Sequence, residues 1–221
     1  MAPRRIVTIA NPVDVEAIRQ QARMPVAHPW LAPGAPPLIL AVGKLKPQKD
    51  FETLIRAFAK LRRVRSANLV ILGEGEQRRR LRELAAVLGV EGSVALPGFA
   101  PNPHAWMRQA ALFVLSSRWE GFSNALVEAL ALGCPSVATD CPSGPAELLQ
   151  YGELGPLARV GDPASLSAAM LKALGHPVAP ARLMARAEDF SVETAAERYL
   201  AVLRSVAAGQ ADLPAVQESA A

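Results

Sequence analysis

Short, nearly continuous apolar runs recur along this chain, and each is followed by a stretch whose apolar residues repeat at helical spacing. The runs are Leu38-Ile39-Leu40-Ala41-Val42, Asn68 to Leu72, Ser93 to Leu96, Ala111 to Leu115 and Ser136 to Thr139, with Leu157 to Val160 as a sixth. A strand apolar on consecutive residues has no side fit for water, so both faces of its sheet must be covered. The intervening stretches supply the cover. Phe51, Leu54, Ile55, Phe58 and Leu61 mark one helix face, Leu81, Leu84, Ala85 and Leu88 a second, and Ala125, Leu126, Ala129 and Leu130 a third. Shorter helices are predicted near Trp106 and Glu147, and longer ones over Leu166 to Leu174 and Thr194 to Val206. The pattern predicts an α/β fold, a Rossmann-like parallel sheet of about six strands with helices on both faces. Ligands of such sheets sit beyond the carboxyl ends of the strands.

At 221 residues, 51% apolar and 20% charged, the chain suffices for one packed domain and is too apolar to be disordered. Residues 1–37 read as a hinge segment and a connector. Ile6-Val7-Thr8-Ile9 is β-like and ends at Asn11-Pro12-Val13-Asp14, and a Pro-rich stretch runs from Pro25 to Pro37. Residues 38–208 form the predicted domain, and 209–221 read as a frayed tail. No internal repeat is visible.

The net charge is +4 and the pI about 9.4. Arg62, Arg63 and Arg65, with Arg78, Arg79, Arg80 and Arg82, carry much of the excess on predicted helices. No aromatic residues interleave with them, so they read as solvated faces rather than a nucleic-acid site. Cys134 and Cys141 form no CxxC pair, and His28, His104 and His176 are scattered, which predicts neither a metal site nor a disulfide scaffold. With no signal peptide and no apolar run of about 18 residues, the expected location is cytoplasmic. Peripheral membrane contact stays open.

The most informative local feature is Ser117-Arg118-Trp119-Glu120-Gly121-Phe122-Ser123-Asn124-Ala125-Leu126-Val127-Glu128-Ala129. It places two carboxylates across a strand-to-helix turn, with Ser123 or Asn124 as the natural N-cap. Free backbone N–H groups and the helix dipole make that turn an anion site. Glu120 lies at one edge of the anion, and Glu128 lies roughly 7 Å down the helix axis at 1.5 Å per residue. A diphosphate at the turn with a hydroxyl-rich group at each end fits this layout, and that describes a nucleotide sugar.

Gly43 and the lysines Lys44 and Lys49 follow the first strand, where cationic charge would stabilise a departing phosphate. Gly73-Glu74-Gly75 fails as a dinucleotide fingerprint because Arg78 stands where the third glycine belongs. Pro97-Gly98-Phe99 closes the third strand, as a simple turn or as backbone for a base edge. Ser143-Gly144-Pro145-Ala146-Glu147 opens another short helix toward the same rim, and no DxD motif suggests a metal-held diphosphate.

On the stretches Val42 to Phe51, Ile71 to Gly75, Val94 to Phe99, Leu115 through Glu147 and Gly161-Asp162-Pro163, the chain resembles the C-terminal, donor-binding lobe of retaining glycosyltransferases of the GT-B architecture, in glycosyltransferase family four. The resemblance spans roughly residues 6–205. It implies a metal-independent, cofactor-free transfer with retention at the anomeric carbon, most commonly from a UDP-sugar. It implies that Glu120 contacts donor-sugar hydroxyls and steadies transition-state charge, and that Glu128 holds the ribose hydroxyls. Lys44 and Lys49 would neutralise the departing diphosphate, and the turn of Gly121, Phe122, Ser123, Asn124, Ala125 and Leu126 would give backbone contacts to sugar and phosphate. The family usually carries arginine where this chain has Lys44, and lysine lacks the bidentate fork.

Family members place an acceptor-binding lobe before the Asn-Pro-Val-Asp hinge, and this chain begins almost at that hinge. The expectation is therefore a donor half that needs an acceptor lobe or partner subunit, with an exposed face near Trp30, Trp119 and the C-terminal helix. Two other readings compete: a catalytically silent nucleotide-sugar-binding module or degenerate fragment, and a Rossmann-like oxidoreductase fragment that tight NAD binding would reveal.

Overall fold

A computed structural model describes residues 6–208. Six strands form one sheet: β1 (Leu38–Val42), β2 (Asn68–Leu72), β3 (Val94–Gly98), β4 (Leu112–Leu115), β5 (Ser136–Thr139) and β6 (Leu157–Ala158). All pairings are parallel, in the order β3-β2-β1-β4-β5-β6. The α/β prediction and its strand count therefore hold, with ends shifted by a residue or two at β3, β4 and β6.

Alternate strand residues feed two cores. Ile39, Ala41, Leu69, Ile71, Leu112 and Val114 face one side, where α2 (Phe51–Arg62), α3 (Arg78–Val87) and α7 (Pro163–Gly175) cover them with Leu54, Phe58, Leu81, Leu166 and Met170. Leu38, Leu40, Val70, Leu72, Phe113 and Leu115 face the other side. There they meet α1 (Val15–Gln21), α4 (Pro103–Gln109), α5 (Asn124–Ala131), α6 (Pro145–Leu148) and α8 (Pro180–Glu188). A final helix, α9 (Val192–Ala207), follows.

The region expected to be hinge and connector differs in two respects. Residues 6–9 pair with no strand among the described residues, and Ile6 is largely exposed. Beyond them the chain forms α1, capped by the Asp14 carboxylate accepting from the Ala17 N–H at 2.9 Å, with Val15 and Ile18 buried. Val13 donates to the Phe190 carbonyl at 2.8 Å, and Arg19 pairs with Glu188 at 2.9 Å, so this segment is packed onto the domain. The stretch 180–188, where the sequence pattern predicts no separate element, forms α8 on Leu183 and Ala187. The tail at 209–221 lies outside the described residues.

Two glycines are fixed by backbone crowding. A Cβ on Gly73 would stand 2.0 Å from the Gly43 carbonyl oxygen, and one on Gly75 would stand 2.5 Å from that of Leu45. The loops after β1 and β2 thus touch main chain to main chain, which accounts for the glycines that resemble a dinucleotide fingerprint.

Candidate functional site

Strand order reverses direction at the β1/β4 boundary, and crevices at such switch points are where open α/β sheets hold ligands. The loop after β1 carries Gly43 to Asp50, and the loop after β4 carries Ser116 to Ser123. These loops are stitched together. The Arg118 N–H donates to the Gln48 carbonyl at 2.8 Å, and the Gln48 carboxamide donates to the Trp119 carbonyl at 2.9 Å. The Ser116 hydroxyl donates to the Lys49 carbonyl at 2.7 Å. Arg118 Nε lies 3.1 Å from Asp50 Oδ2. Asp50 sits in the left-handed region at φ 46°, and its carboxylate caps α2 by accepting from the Thr53 N–H and hydroxyl.

Inside this seam Lys49 Nζ reaches Glu120 Oε1 at 2.7 Å. The Ser117 hydroxyl donates to the same oxygen at 2.5 Å, and the Ser117 carbonyl in turn accepts from the Thr139 hydroxyl. Glu120 retains only 7% side-chain exposure and Lys49 17%. Gly43 makes room for this, since a Cβ there would press on the Lys49 chain at 3.1 Å. Cys141 stands close enough that the Glu120 charge helps raise its thiol pKa, although burial is the larger cause and a Thr139 hydrogen bond opposes it.

The turn continues into α5. Ser123 occupies the N-cap position, but its buried hydroxyl makes no cap bond and has no partner among the described residues. The first ladder bonds of α5 are donated by Leu126 and Val127 to the Ser123 carbonyl, so the Asn124 and Ala125 amides stand ahead of the ladder. Asn124 is exposed and Ala125 half-buried. No atom of the described residues lies within 4 Å of the Cβ position of Gly121, whereas Gly144 approaches the Gly121 carbonyl to 3.1 Å by the same measure. The Ser143-Gly144 loop does close on this turn. Phe122 packs on Phe190 at 5.5 Å, so its side chain serves the core.

Glu128 lies on the next turn of α5, and His104 Nε2 on α4 stands 3.3 Å from its Oε2. Lys44 is exposed, and no carboxylate among the described residues pairs with it. Pro97 is exposed on the edge strand β3, away from the Glu120 turn. Its neighbour Gly98 reaches the rim by accepting from the Gly73 N–H at 2.8 Å. No cluster of three or more His, Cys, Asp or Glu suited to a metal occurs among the described residues. Trp119 is 53% exposed, as are Tyr199, Leu200, Leu203 and Val206 of α9 at similar levels. Trp30 differs from expectation, being half-buried with its ring 5.3 Å from that of His28.

Gln48, Asp50, Ser117, Arg118 and His104 join the site although the sequence alone assigns none of them a role in it. Only Asp50, followed by an apolar-periodic run, carried a local signal, that of an N-cap. Ser117 acts on Glu120 within its own turn, and Gln48, Arg118 and His104 act through contacts between residues far apart in the chain.

A family model for glycosyl transferases group 1 matches residues 36–176, from just before β1 into α7. The chain belongs to this glycosyltransferase family. The group 1 domain is 37% identical over 166 residues to N-acetylgalactosamine-N,N'-diacetylbacillosaminyl-diphospho-undecaprenol 4-alpha-N-acetylgalactosaminyltransferase of Campylobacter jejuni, covering 75% of this chain and 43% of that protein. It is 32% identical over 178 residues to the lipopolysaccharide core biosynthesis glycosyltransferase LpsE of Rhizobium meliloti, covering 78% of this chain and 51% of the relative. It thus spans about half the length of these relatives. In structure it is similar to a glycosyltransferase from Rickettsia africae, with a TM-score of 0.78 at 17% identity over 94% of this chain and 59% of that one. It is also similar to Anabaena HepE solved with UDP, with a TM-score of 0.74 at 23% identity over 89% of this chain and 57% of that one. The fold is that of a GT-B glycosyltransferase domain. No helix among the described residues is long and apolar enough to cross a membrane.

Proposed function

We propose that this group 1 domain binds a nucleotide sugar, a UDP-sugar, and serves as the donor half of a retaining, metal-independent glycosyl transfer completed by an acceptor-binding lobe. The observation that carries the reading is the Lys49–Glu120 pair, drawn to 2.7 Å across the β1/β4 switch point beside the open first turn of α5. In this reading the amides at Gly121 to Leu126 hold diphosphate and sugar by backbone contacts, aided by the helix dipole. Lys49 and Lys44 bring the positive charge that offsets the departing diphosphate where no metal does so. Glu120 contacts sugar hydroxyls and favours the positive charge that develops at the anomeric carbon, and Glu128 accepts from the ribose hydroxyls. Gly43 leaves space for Lys49, and backbone near Pro97 lines the base end of the rim. The HepE complex with UDP supports the choice of nucleotide, and the exposed apolar residues of α9 support a further protein surface against this domain.

Calorimetric titration with UDP, GDP, ADP and NAD, without added metal, tests the donor reading. UDP should bind in the micromolar range and Glu128→Ala should abolish that binding; preferential NAD binding would overturn the proposal in favour of an oxidoreductase fragment. With an acceptor lobe supplied, Glu120→Ala should abolish transfer and leave UDP affinity largely intact. Equal loss of UDP affinity would remove the role given to Glu120, and no transfer by the unaltered domain would leave a silent binding module.

A further inference from the structure

Glu128 is held by a side chain that the motif around it does not contain. His104 is the second residue of α4, whose first turn is set by the Asn102 side chain accepting from the Ala105 N–H and by Pro103 at the first helical position. Both Asn102 and His104 fasten onto the last residue of α1: the Asn102 carboxamide donates to the Gln21 carbonyl at 2.8 Å, and His104 Nδ1 lies 2.9 Å from the Gln21 carboxamide oxygen. The opposite ring nitrogen lies 3.3 Å from Glu128 Oε2. The imidazole is therefore clamped from two sides and mostly buried, at 13% side-chain exposure against 23% for Glu128.

We propose that His104 is a positioning residue for the nucleotide ribose. It fixes one Glu128 oxygen and leaves the rest of the carboxylate to accept from the vicinal hydroxyl pair. This inference rests on the donor reading above.

The proton inventory supports it. A carboxylate only accepts, so the contact needs a hydrogen on Nε2. In the neutral ring with Nε2–H, Nδ1 is an acceptor, and the Gln21 carboxamide turns its NH2 toward it. In the imidazolium, Nδ1 donates to the carboxamide oxygen instead. Gln21 serves either state, so the hold on Glu128 survives both. An unheld glutamate must give up rotamer freedom when it grips a ligand, and holding it beforehand removes that loss from the binding step. A carboxylate fixed at one oxygen also favours a ligand with two adjacent hydroxyls over one that lacks them.

The test compares UDP with 2′,3′-dideoxy-UDP by calorimetry on the full chain. His104→Phe should weaken UDP about tenfold, the scale of one charge-assisted hydrogen bond, and leave the dideoxy ligand unchanged. His104→Gln, which returns an N–H donor at the Nε2 position, should bind UDP within about twofold of wild type on the same scale. Gln21→Leu, which frees the ring without removing it, should give a smaller loss confined to UDP, and it keeps the test sharp should His104→Phe fail to fold. Loss of affinity for both ligands in equal measure, or for neither, would overturn the positioning role. If Glu128→Ala also fails to discriminate the two ligands, the ribose reading itself falls. If Glu128→Ala discriminates and the His104 variants do not, only this inference falls. A folded wild-type chain that binds neither ligand overturns both.

Discussion

Lys49→Met removes the cation from the switch-point seam and leaves Glu120 in place, and its cost follows from the pair's geometry. At 2.7 Å in an effective dielectric of about 20 the direct attraction is roughly 6 kcal/mol, an upper bound before solvation. Exposed pairs return about 0.2–1 kcal/mol of this, and breaking one side of a buried pair costs about 3–5 kcal/mol. With Glu120 at 7% exposure and Lys49 at 17%, the pair lies nearer the buried limit, but the Ser117 hydroxyl still serves the stranded carboxylate. We expect a loss of about 2–3 kcal/mol. For a domain of this size that lowers the unfolding midpoint by about 5–10 °C. Glu120→Gln should cost less, about 1 kcal/mol, because the flexible Lys49 chain can turn its ammonium to water. In the double variant the cost should fall below the sum of the two by at least about 1 kcal/mol. Urea or thermal unfolding of the four proteins gives the cycle. A Lys49→Met effect under about 0.5 kcal/mol, or strict additivity, would refute the argument and mark the pair as solvated.

Gly73→Ala should prevent stable folding or cost more than about 3 kcal/mol, since its Cβ would enter a backbone carbonyl; Gly121→Ala, with open space before it, should stay within about 0.5 kcal/mol in the same unfolding assay while weakening UDP in calorimetry. The Cys134 thiol is pushed up to about 12 by burial, and that of Cys141 is raised by the same cause, so both should resist alkylation at pH 8 in the native protein and react on unfolding, as mass spectrometry would record. The Asp162 carboxyl is held below its ordinary value by the Ser165 N–H first and Arg159 next, so its folded pKa is depressed. Its stabilisation is present above 3.8 and lost as the pH falls through the folded value; Asp162→Ala should therefore lower the unfolding midpoint at neutral pH, with the gap to wild type narrowing in acid.

The sheet was legible because β1 and β4 are wholly apolar, β2 is apolar after Asn68, and the shorter apolar stretches of β3 and β5 recur between helical patterns. The Glu120 turn was legible for a similar reason, as strand, turn and helix are adjacent in sequence. α1 was missed although Asp14, Val15 and Ile18 stand at capping and core spacing, because seven residues beside a proline-rich stretch give too short a period to notice. α8 had Pro180 at its first position and Leu183 with Ala187 one turn apart, a signal present but weak beside the longer helices around it. The Lys49–Glu120 and His104–Glu128 contacts lie beyond local reading, since the first joins residues 71 positions apart and both depend on which strands become neighbours.

That dependence also divides the labour of the site. Lys49 reads from sequence as a phosphate ligand, yet in the fold one of its N–H donors is committed to Glu120 at 2.7 Å. An ammonium has three donors, so Lys49 can keep Glu120 and still reach a second anion. What it cannot do is approach that anion without bringing a carboxylate along, and the paired charge attracts phosphate less than a free cation would. Lys44, exposed and without a carboxylate partner among the described residues, and the amides ahead of the α5 ladder carry no such offset. On the proposed reading the diphosphate is gripped chiefly by backbone and by Lys44, and the main duty of Lys49 is to hold Glu120 in place, aimed at the sugar. The Lys49 and Lys44 variants should then separate: Lys44→Met weakens UDP with little change in stability, and Lys49→Met destabilises the domain and impairs transfer more than it impairs UDP binding. The opposite partition would return the phosphate role to Lys49.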